Sequence, residues 1–340
     1  MTKTDMHELR KDPLLGRWVV VMNTPKEPSE YIVSADAVTD ESCSFCSGRE
    51  GETPGEIMSL RKSKPDAGSG WWTRVVPHFD PVFKVEGSLG RKGEGMYDKM
   101  NCIGANEIII ESPEHSTRPE DMGLDQMARV IMTYRDRMAD LEKDERLRYT
   151  LIYKNSGKEA GAVYSHPIAH LASSPVIPKR IKDELDSAKQ YFSYKERCIF
   201  CDIITEELRS GSRVILENQS FLAFCPYASK FPFESWIIPK KHSCAFQDID
   251  ADEIQDLALT LSTVLKKLRK TFNGLAFNYF IHSAPNRIPR KDHWHTLGED
   301  FHWHIEIVPR LLRTGGFEWG SGSYIVPTSP EYASKYLREV

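Results

Sequence analysis

The chain has 340 residues, of which 40% are hydrophobic and 28% are charged, and its formal net charge is −4. This composition is typical of a folded globular protein with one large or two ordinary domains, and it excludes a disordered chain. The acidic balance argues against a general nucleic-acid binder, and no apolar run is long enough to predict a membrane span.

Two Cys-x-x-Cys pairs mark the two halves of the chain. The odd total of seven cysteines, and a start that lacks the apolar core of a secretory signal, predict a reducing, cytoplasmic location. A Cys-x-x-Cys pair can be a redox centre, but a redox pair normally occurs once. Two copies, each followed by two distant histidines, favour structural zinc. The predicted ligand sets are Cys43, Cys46, His115 and His166 in the first half, and Cys198, Cys201, His242 and His302 in the second.

The first half predicts a strand, a helix and two further strands. An isoleucine-rich strand begins at Glu107, and an amphipathic helix begins at about Asp125, with apolar residues at i, i+3, i+4 and i+7. A strand over residues 149–155 follows. A loop with glycine and proline then leads to a histidine-bearing strand over residues 165–170.

The second half repeats this order. An isoleucine-rich strand begins at Glu234, and a second amphipathic helix is capped by Asp250. Strands over residues 276–282 and 301–306 complete the unit, and the last of them again carries paired histidines. The recurrence indicates a duplication.

Two short matches suggest how the halves align. The spacing from glutamate to the next histidine ligand is eight residues both from Glu107 and from Glu234. The segment 74–76 (Arg-Val-Val) resembles the segment 213–215 (Arg-Val-Ile). We align the halves on these matches.

These elements predict an α+β fold made of two tandem units related by a pseudo-twofold axis. Each unit is expected to be a mostly antiparallel sheet with flanking helices, because amphipathic helices of this kind pack on sheets. The first domain is predicted to cover residues 1–180 and the second residues 181–340, joined by a connector over residues 175–197 with a short helix of its own.

Several motifs resemble those of the galactose-1-phosphate uridylyltransferase family, in the same order along nearly the whole chain. The resemblance implies tandem histidine-triad units and a nucleotidyltransferase that moves a nucleotidyl group between a nucleoside diphosphate sugar and a sugar phosphate or phosphate. Two zinc sites in one chain resemble the branch that contains plant ADP-glucose phosphorylase. Family members often form homodimers, which the aromatic segment 315–322 would allow. The matching motifs are Leu9-Arg-Lys-Asp-Pro13, Cys43-Ser-Phe-Cys46, Glu111-Ser-Pro-Glu-His115, Asn155-x-Gly-x-x-x-Gly-Ala162 and Phe301-His-Trp-His304.

The resemblance also implies covalent catalysis, in which a histidine attacks the α-phosphorus of the nucleotide. In the family motif His-Pro-His-x-Gln, the first histidine binds zinc, the second is the nucleophile and the glutamine holds the phosphate. The corresponding residues in this chain are His166, Ile168 and His170. Because isoleucine has no lone pair to form the intermediate, the usual first-half nucleophile is missing.

Two hypotheses for the reactive imidazole follow. The first assigns chemistry to His304, the counterpart of Ile168, with Glu306 and His282 near the phosphate; the alternative is a structural or metal-binding His304. The second assigns it to His170, which faces the same way along a strand as Ile168 but lies about 6–7 Å away. The alternative for His170 is a contact with phosphate or a merely polar residue.

The resemblance places further first-half residues at the nucleotide. His78 stands where relatives often have an asparagine that contacts the nucleoside, and Phe79 and Asp80 would stack on a base and bind a ribose hydroxyl. Asn155, the counterpart of His282, would lie near the phosphate. Where relatives carry Lys/Arg-Arg-Pro for phosphate recognition, this chain has an acid, Glu27.

These departures leave more than one function open. The leading interpretation is a transferase of this family. Its alternatives are an enzyme similar to ADP-glucose phosphorylase or to adenylylsulfate:phosphate adenylyltransferase, and a non-catalytic nucleotide-binding protein. A zinc-stabilised adaptor is disfavoured by the acidic balance and by the long-range histidine ligands.

Overall fold

The computed structural model describes residues 7–22, 25–31, 43–63, 70–289 and 294–340. The helices in these ranges are α1 (Leu124–Leu141), α2 (Lys179–Lys195), α3 (Ile199–Ser210), α4 (Ala251–Thr271), α5 (Leu297–Asp300), α6 (Gly316–Ser321) and α7 (Pro330–Glu339). The strands are β1 (Glu8–Lys11), β2 (Trp18–Val21), β3 (Met58–Arg61), β4 (Trp71–Pro77), β5 (Lys92–Glu94), β6 (Tyr97–Lys99), β7 (Ala105–Ile110), β8 (Tyr149–Ser156), β9 (Ile168–Ser174), β10 (Val214–Glu217), β11 (Phe221–Phe224), β12 (Ser235–Pro239), β13 (Phe277–His282), β14 (His304–Pro309) and β15 (Tyr324–Val326).

Ten of these strands form one antiparallel sheet. The strands of the second half, counted from one edge, follow the same pattern as the strands of the first half counted from the other edge. The order is β10-β11-β12-β14-β13-β8-β9-β7-β4-β3, so each half of the chain supplies five neighbouring strands. Strands β8 and β13 meet at the centre, where Tyr153 lies opposite Phe280. The α+β class is confirmed, and the duplication takes the form of a pseudo-twofold relation about this central pair.

The strand register gives the equivalent positions of the two halves. His170 pairs with Tyr153 across β8 and β9, and Glu306 pairs with Phe280 across β13 and β14. Counting along the strands from these pairs extends the match in both directions. The equivalent pairs are Tyr153 and Phe280, Asn155 and His282, Ile168 and His304, and His170 and Glu306.

The two short matches proposed from sequence do not align equivalent positions. Residues 74–76 lie on β4, whose counterpart in the sheet order is β11, whereas residues 214 and 215 lie on the edge strand β10. The register makes Ser235, not Glu234, the counterpart of Glu107. Ser235 pairs with Ile307 and Glu107 pairs with Leu171, and these two partners are themselves equivalent because they follow Glu306 and His170. A three-residue apolar pattern and one shared spacing are too common in strands to fix a register.

One face of the sheet is covered by the two long helices, as their apolar spacing predicts. The apolar residues predicted for both helices are buried in one cluster with the inward residues of the strands. Asp250 accepts hydrogen bonds from the backbone N–H groups of Asp252 and Glu253, so the predicted cap of α4 is confirmed. The candidate site residues lie on the opposite face.

The remaining elements surround this sheet. The connector contains α2, which at 17 residues is longer than the short helix expected there. Strands β1, β2 and β15 form a small separate sheet. The aromatic segment forms α6, where Phe317 and Trp319 are 50% and 81% exposed. Within the described residues, no helix has the length and apolar character that crossing a bilayer requires.

Candidate functional site

The first predicted ligand set comes together as one compact cluster, which we call the first metal cluster (Cys43, Cys46, His115 and His166). Its four ligand atoms lie within 4.8 Å of one another. The Sγ–Nδ1 distances are 3.6 Å from Cys43 to His166, 3.6 Å from Cys46 to His115 and 3.8 Å from Cys46 to His166. His115 follows β7, and His166 lies two residues before β9.

The second predicted set forms the matching second metal cluster (Cys198, Cys201, His242 and His302). Cys198 is the N-cap residue of α3, and Cys201 lies in the first turn of that helix. The Sγ of Cys201 lies 3.4 Å from Nδ1 of His242 and 3.7 Å from Nδ1 of His302. The four ligand atoms again lie within 4.8 Å of one another.

Each cluster has the geometry to hold one tetrahedral metal ion. With metal–sulfur bonds of about 2.3 Å and metal–nitrogen bonds of about 2.0–2.1 Å, sulfur and nitrogen ligands of a tetrahedral site lie about 3.5 Å apart. The distances observed here, 3.4–3.8 Å, agree with that geometry. Two thiolates and two imidazoles are ligands that suit zinc, and four protein ligands leave no open coordination position.

The outer nitrogens of the histidines are also held. The Nε2–H group of His166 donates to the carbonyl of Ser112 at 2.8 Å, and that of His302 donates to the carbonyl of Pro239 at 2.9 Å. The Nε2 of His242 lies 3.0 Å from a backbone carbonyl and that of His115 lies 3.0 Å from a serine hydroxyl. These partners orient each ring so that Nδ1 faces the cluster.

Beside the first metal cluster, Ile168 is buried rather than open to a substrate. It is 3% exposed and packs in an apolar cluster with Phe45, Val76 and Ile110. Its backbone carbonyl accepts a hydrogen bond of 2.9 Å from the buried ammonium group of Lys154. The position therefore provides shape and packing but no nucleophilic atom.

His170 lies two residues further along β9 and is only partly buried. Its ring stacks on Tyr153, with the ring centroids 5.1 Å apart, and lies 6.1 Å from the ring of His78. Burial, followed by the nearby His78 and Lys154, lowers the pKa of His170 from 6.5 to about 4. The imidazole is therefore neutral at pH 7 and keeps a lone pair. We call the surface formed by His78, Tyr153 and His170 the cleft.

The other predicted nucleotide contacts lie at or near the cleft. Nδ1 of His78 lies 3.2 Å from the N–H group of Asp80, which is exposed beside the 44% exposed Phe79. Asn155 lies two residues beyond Tyr153 on β8, and its Oδ1 accepts a hydrogen bond of 2.8 Å from Asn278. A ring for stacking, a carboxylate and an amide are thus within one region of the first half.

His304 occupies a different environment. It is 0% exposed and lies between Trp236 and Phe200, whose ring centroids are 4.7 and 5.2 Å away. Its Nδ1–H group donates to the carbonyl of His302 at 3.2 Å, and its Nε2 has no hydrogen-bond partner among the described residues. Because the whole side chain is buried, a phosphorus atom could reach His304 only after neighbouring groups had moved.

His282 and Glu306 belong to a buried charged network next to His304. Nδ1 of His282 lies 2.9 Å from Oε2 of Glu184. The ammonium group of Lys230 donates to Glu306 at 3.2 Å, and the guanidinium group of Arg180 also donates to it. Burial raises the pKa of Glu306, but Arg180 and Lys230 outweigh burial and hold it well below its usual value.

Sequence reasoning missed part of this network. Arg180 and Glu184 lie on α2, in the segment that the sequence pattern marks only as a connector, and Lys230 lies in the turn before β12. The i, i+4 spacing of Arg180 and Glu184 on an amphipathic helix was the available signal. Among the described residues, Glu184, His282 and His304 form a third group that could hold a metal ion, with ligand atoms within 4.8 Å of one another.

Comparisons with known proteins identify the relatives of this chain. A family model described as the C-terminal domain of galactose-1-phosphate uridyl transferase matches residues 184–316. ADP-glucose phosphorylase from Arabidopsis thaliana is 33% identical over 98% of this chain and 93% of its own length. Galactose-1-phosphate uridylyltransferase from Thermotoga maritima is 27% identical over 98% of each chain.

Solved structures give the same result. The crystal structure of the Arabidopsis thaliana ADP-glucose phosphorylase with bound ADP-glucose superposes with a TM-score of 0.82 at 32% identity, covering 98% of this chain and 99% of that one. A uridylyltransferase structure superposes with a TM-score of 0.74 at 25% identity, over 98% of each chain. The chain therefore belongs to the galactose-1-phosphate uridylyltransferase family of nucleotidyltransferases.

Proposed function

We propose that this protein transfers the nucleotidyl group of a nucleotide sugar, with ADP-glucose as the donor, to phosphate or a sugar phosphate. The choice of ADP-glucose is supported by the 33% identity to ADP-glucose phosphorylase over nearly the full length of both proteins. It is also supported by the two matching Cys/His clusters, one in each half.

We infer that the nucleotide binds at the cleft of the first half. Phe79 is exposed and can stack on a base, and the carboxylate of Asp80 can accept hydrogen bonds from ribose hydroxyls. Asn155 lies along the same strand face as Tyr153, where its amide can donate to a phosphate oxygen.

His170 is the proposed nucleophile, and its position in the cleft as a neutral, partly exposed imidazole is the observation that carries the proposal. Its lone pair would form a phosphorus–nitrogen bond to the α-phosphorus while the bond to the bridging oxygen breaks. The sugar phosphate leaves with that electron pair. An oxygen of the acceptor phosphate then attacks the same phosphorus, and the nitrogen recovers its lone pair.

This assignment requires the substrate to sit differently from one attacked at position 168. Successive residues of a strand advance by about 3.3 Å, so the α-carbon of His170 lies about 7 Å from that of Ile168. The α-phosphate would therefore be displaced along β9, away from the first metal cluster and toward Tyr153. His304 is the alternative nucleophile, but its full burial makes it less suitable than His170.

The decisive experiment is to trap the intermediate. Full-length protein loaded with zinc is incubated with ADP-glucose labelled in the adenosine part, and an acid-labile adenylyl adduct is measured by rapid quench. We expect the adduct in the native protein and in His304→Phe, and its loss in His170→Ala. Loss in His304→Phe with retention in His170→Ala would transfer the role to the second half.

A chiral label at the α-phosphorus gives an independent test. Two successive displacements retain the configuration at phosphorus, whereas one direct displacement inverts it. Retention is therefore expected if His170 forms a covalent intermediate. Inversion would show direct transfer between donor and acceptor and would remove the nucleophile assignment.

The rival function is nucleotide binding without turnover, and Ile168 and Glu27 favour it, since both replace residues that the family reaction uses. Calorimetric titration with ADP-glucose separates the two functions. Tight binding without adduct or product would establish the rival. We also propose that each Cys/His cluster holds one structural zinc ion, because its donor set is closed.

A further inference from the structure

The second half contains a cavity that the proposed reaction does not use. Its volume is about 490 Å³, within the range of small-molecule sites, which is about 300–1,000 Å³. It lies between α3 and the turn that follows β1, and we call it the second cavity. Its apolar lining includes Leu14, Ile199, Ile203, Phe224 and Trp236.

The second cavity is the pseudo-twofold counterpart of the region where the base is proposed to bind in the first half. Phe224 pairs with Trp236 as Val76 pairs with Ile108. Three residues beyond these matched positions, Tyr227 lines the cavity at the place that corresponds to Phe79. The aromatic residue is thus present in both halves.

The polar residues of the two regions differ. Ala228 stands in the cavity where the first half has Asp80, and Pro226 stands where it has His78. The matching strand position to His170 is Glu306, whose carboxylate is already engaged by Arg180 and other cations. The second half therefore offers an aromatic pocket without the groups that would handle a phosphate.

The charge of the lining does not favour a phosphate either. Five carboxylates line the second cavity, against three basic side chains. Two of the three basic residues are already paired, Arg17 with Asp12 at 2.5 Å and Arg213 with Glu207 at 3.0 Å. The other three carboxylates, Asp202, Glu206 and Glu234, pair with cations outside the lining. A phosphate would have to displace existing ion pairs, whereas a neutral ring would be accepted by the apolar floor.

We propose that the second cavity binds a nucleoside without phosphate, or its free base. The flat ring would lie against Trp236 and Phe224, and the ribose hydroxyls would donate to the carboxylates of Asp202 and Glu206 at the rim. The preference for a nucleoside rests on the proposed function, through the match to the first-half region, whereas the exclusion of phosphate rests on the cavity alone.

The test is calorimetric titration, with adenosine and with AMP, of the zinc-loaded full-length protein carrying Phe79→Ala and Asp80→Ala, which remove the base and ribose contacts proposed for the cleft. Ile203→Trp fills the cavity from α3, and its matched control is Leu208→Trp, which lies on the same helix outside the lining and is 41% exposed. We expect adenosine affinity to fall at least tenfold in Ile203→Trp and to be unchanged in Leu208→Trp. AMP should bind at least tenfold more weakly than adenosine.

A charge reversal tests the same proposal without filling the core. Glu206 is exposed on α3, so Glu206→Lys is expected to fold even if Ile203→Trp does not. It should strengthen AMP binding severalfold relative to adenosine, whose ribose loses one of its two proposed carboxylate acceptors. AMP affinity that equals adenosine affinity in the protein with the blocked cleft and does not respond to Glu206→Lys would overturn the exclusion of phosphate.

Two results would overturn the binding site itself. One is the absence of adenosine binding at millimolar concentration, and the other is adenosine binding that survives in folded Ile203→Trp, which would place the nucleoside elsewhere. The proposed function is judged separately by adduct formation with ADP-glucose. Loss of that reaction with adenosine binding intact would refute the reaction and leave the second cavity standing.

Discussion

The two halves carry different residues, with different exposure, at two equivalent strand positions. In the first half, the position near the metal cluster carries buried Ile168, and the next outward position carries the partly exposed His170. In the second half, the near position carries buried His304, and the next carries Glu306, neutralised by cations. A duplicated scaffold has thus kept its metal clusters while two alternate strand positions decide which half has an accessible imidazole.

A second contrast lies in the interior. In the first half, the ammonium group of Lys154 donates to the buried carboxylate of Glu111, which also accepts a hydrogen bond from Tyr134. Counting from the matched pair at the sheet centre, Ile281 takes the place of Lys154 in the second half. The fold therefore tolerates either a buried ion pair or an apolar residue at this position, as expected where both partners are fully satisfied.

The largest expected effect tests whether the two metal clusters contribute equally to the stability of the fold. Cys43→Ser and Cys198→Ser should each release one zinc ion, because a closed four-ligand site loses most of its affinity without one thiolate. Structural zinc contributes about 10–16 kcal/mol in isolated zinc-finger peptides. Even half of that would lower Tm by at least about 10 °C, since 1 kcal/mol shifts Tm by about 2–4 °C in a large domain.

Calorimetric melting with metal analysis checks this prediction. Cys102→Ser is the matched control, because Cys102 is exposed and lies outside both clusters. Two large and similar decreases would support equal structural roles. Unchanged melting in either cluster variant, with its zinc lost, would mean that the corresponding half does not depend on its metal.

The next effect compares the stability cost of substitutions at the equivalent buried positions 154 and 281. Lys154→Met should cost about 3–5 kcal/mol, because it leaves the Glu111 carboxylate buried without a cation. Ile281→Met, at the equivalent position, should cost less than about 1.5 kcal/mol, since it exchanges one apolar side chain for another. Urea unfolding measures both, and equal costs would contradict the assigned ion pair.

The two Cys/His clusters could be predicted from sequence because the suitability of a side chain as a metal ligand depends on residue type. Cysteine and histidine at zinc-like spacing appear twice, and the structure brings all eight residues into two clusters. The helices were equally predictable, since their apolar period is visible in the sequence. These features depend on local sequence patterns, and each pattern occurs in both halves of the chain, so one copy supports the interpretation of the other.

The environment of the imidazoles could not be predicted in the same way. Phe200 and Trp236, which enclose His304, come from two other elements of the chain, and nothing in their spacing signals that they meet. Arg180 reaches Glu306 from 126 residues away. Burial of a residue of this kind is decided by tertiary packing, so sequence alone left His304 and His170 as competing hypotheses.

A substitution at position 168 tests where the substrate sits. Ile168→His would put an imidazole at the family position, but the α-phosphate is proposed to be displaced along β9 by the spacing of two residues, about 7 Å. Because a misplacement of only about 1 Å commonly costs about 10²-fold in rate, adduct formation from ADP-glucose in Ile168→His should not exceed that in the packing control Ile168→Val. Rapid-quench rates measure both, and a histidine variant much faster than the valine variant would place the α-phosphate at residue 168 and contradict the displaced position.

The smallest expected effect is the absence of a pH dependence. An ordinary imidazole with a pKa near 6.5 would lose nucleophilicity tenfold for each pH unit below that value. Burial lowers the pKa of His170 to about 4, so its lone pair remains available down to about pH 5. Adduct formation should therefore be nearly constant between pH 8 and pH 5 while zinc content is constant.

The same low pKa has a cost that can be measured independently. Because His170 binds a proton more weakly in the folded than in the unfolded chain, the unfolded chain takes up more protons between about pH 6.5 and pH 4. Folding stability must then decrease as the pH falls through that window. His170→Gln should flatten this part of the stability curve while leaving both metal clusters intact. A fall in adduct formation of about fivefold from pH 6.5 to pH 5.5 at constant zinc is what an imidazole with a pKa of 6.5 would give. That result, together with an unchanged stability curve in His170→Gln, would show that the pKa of His170 is not lowered, and the first half would then hold no imidazole prepared for attack.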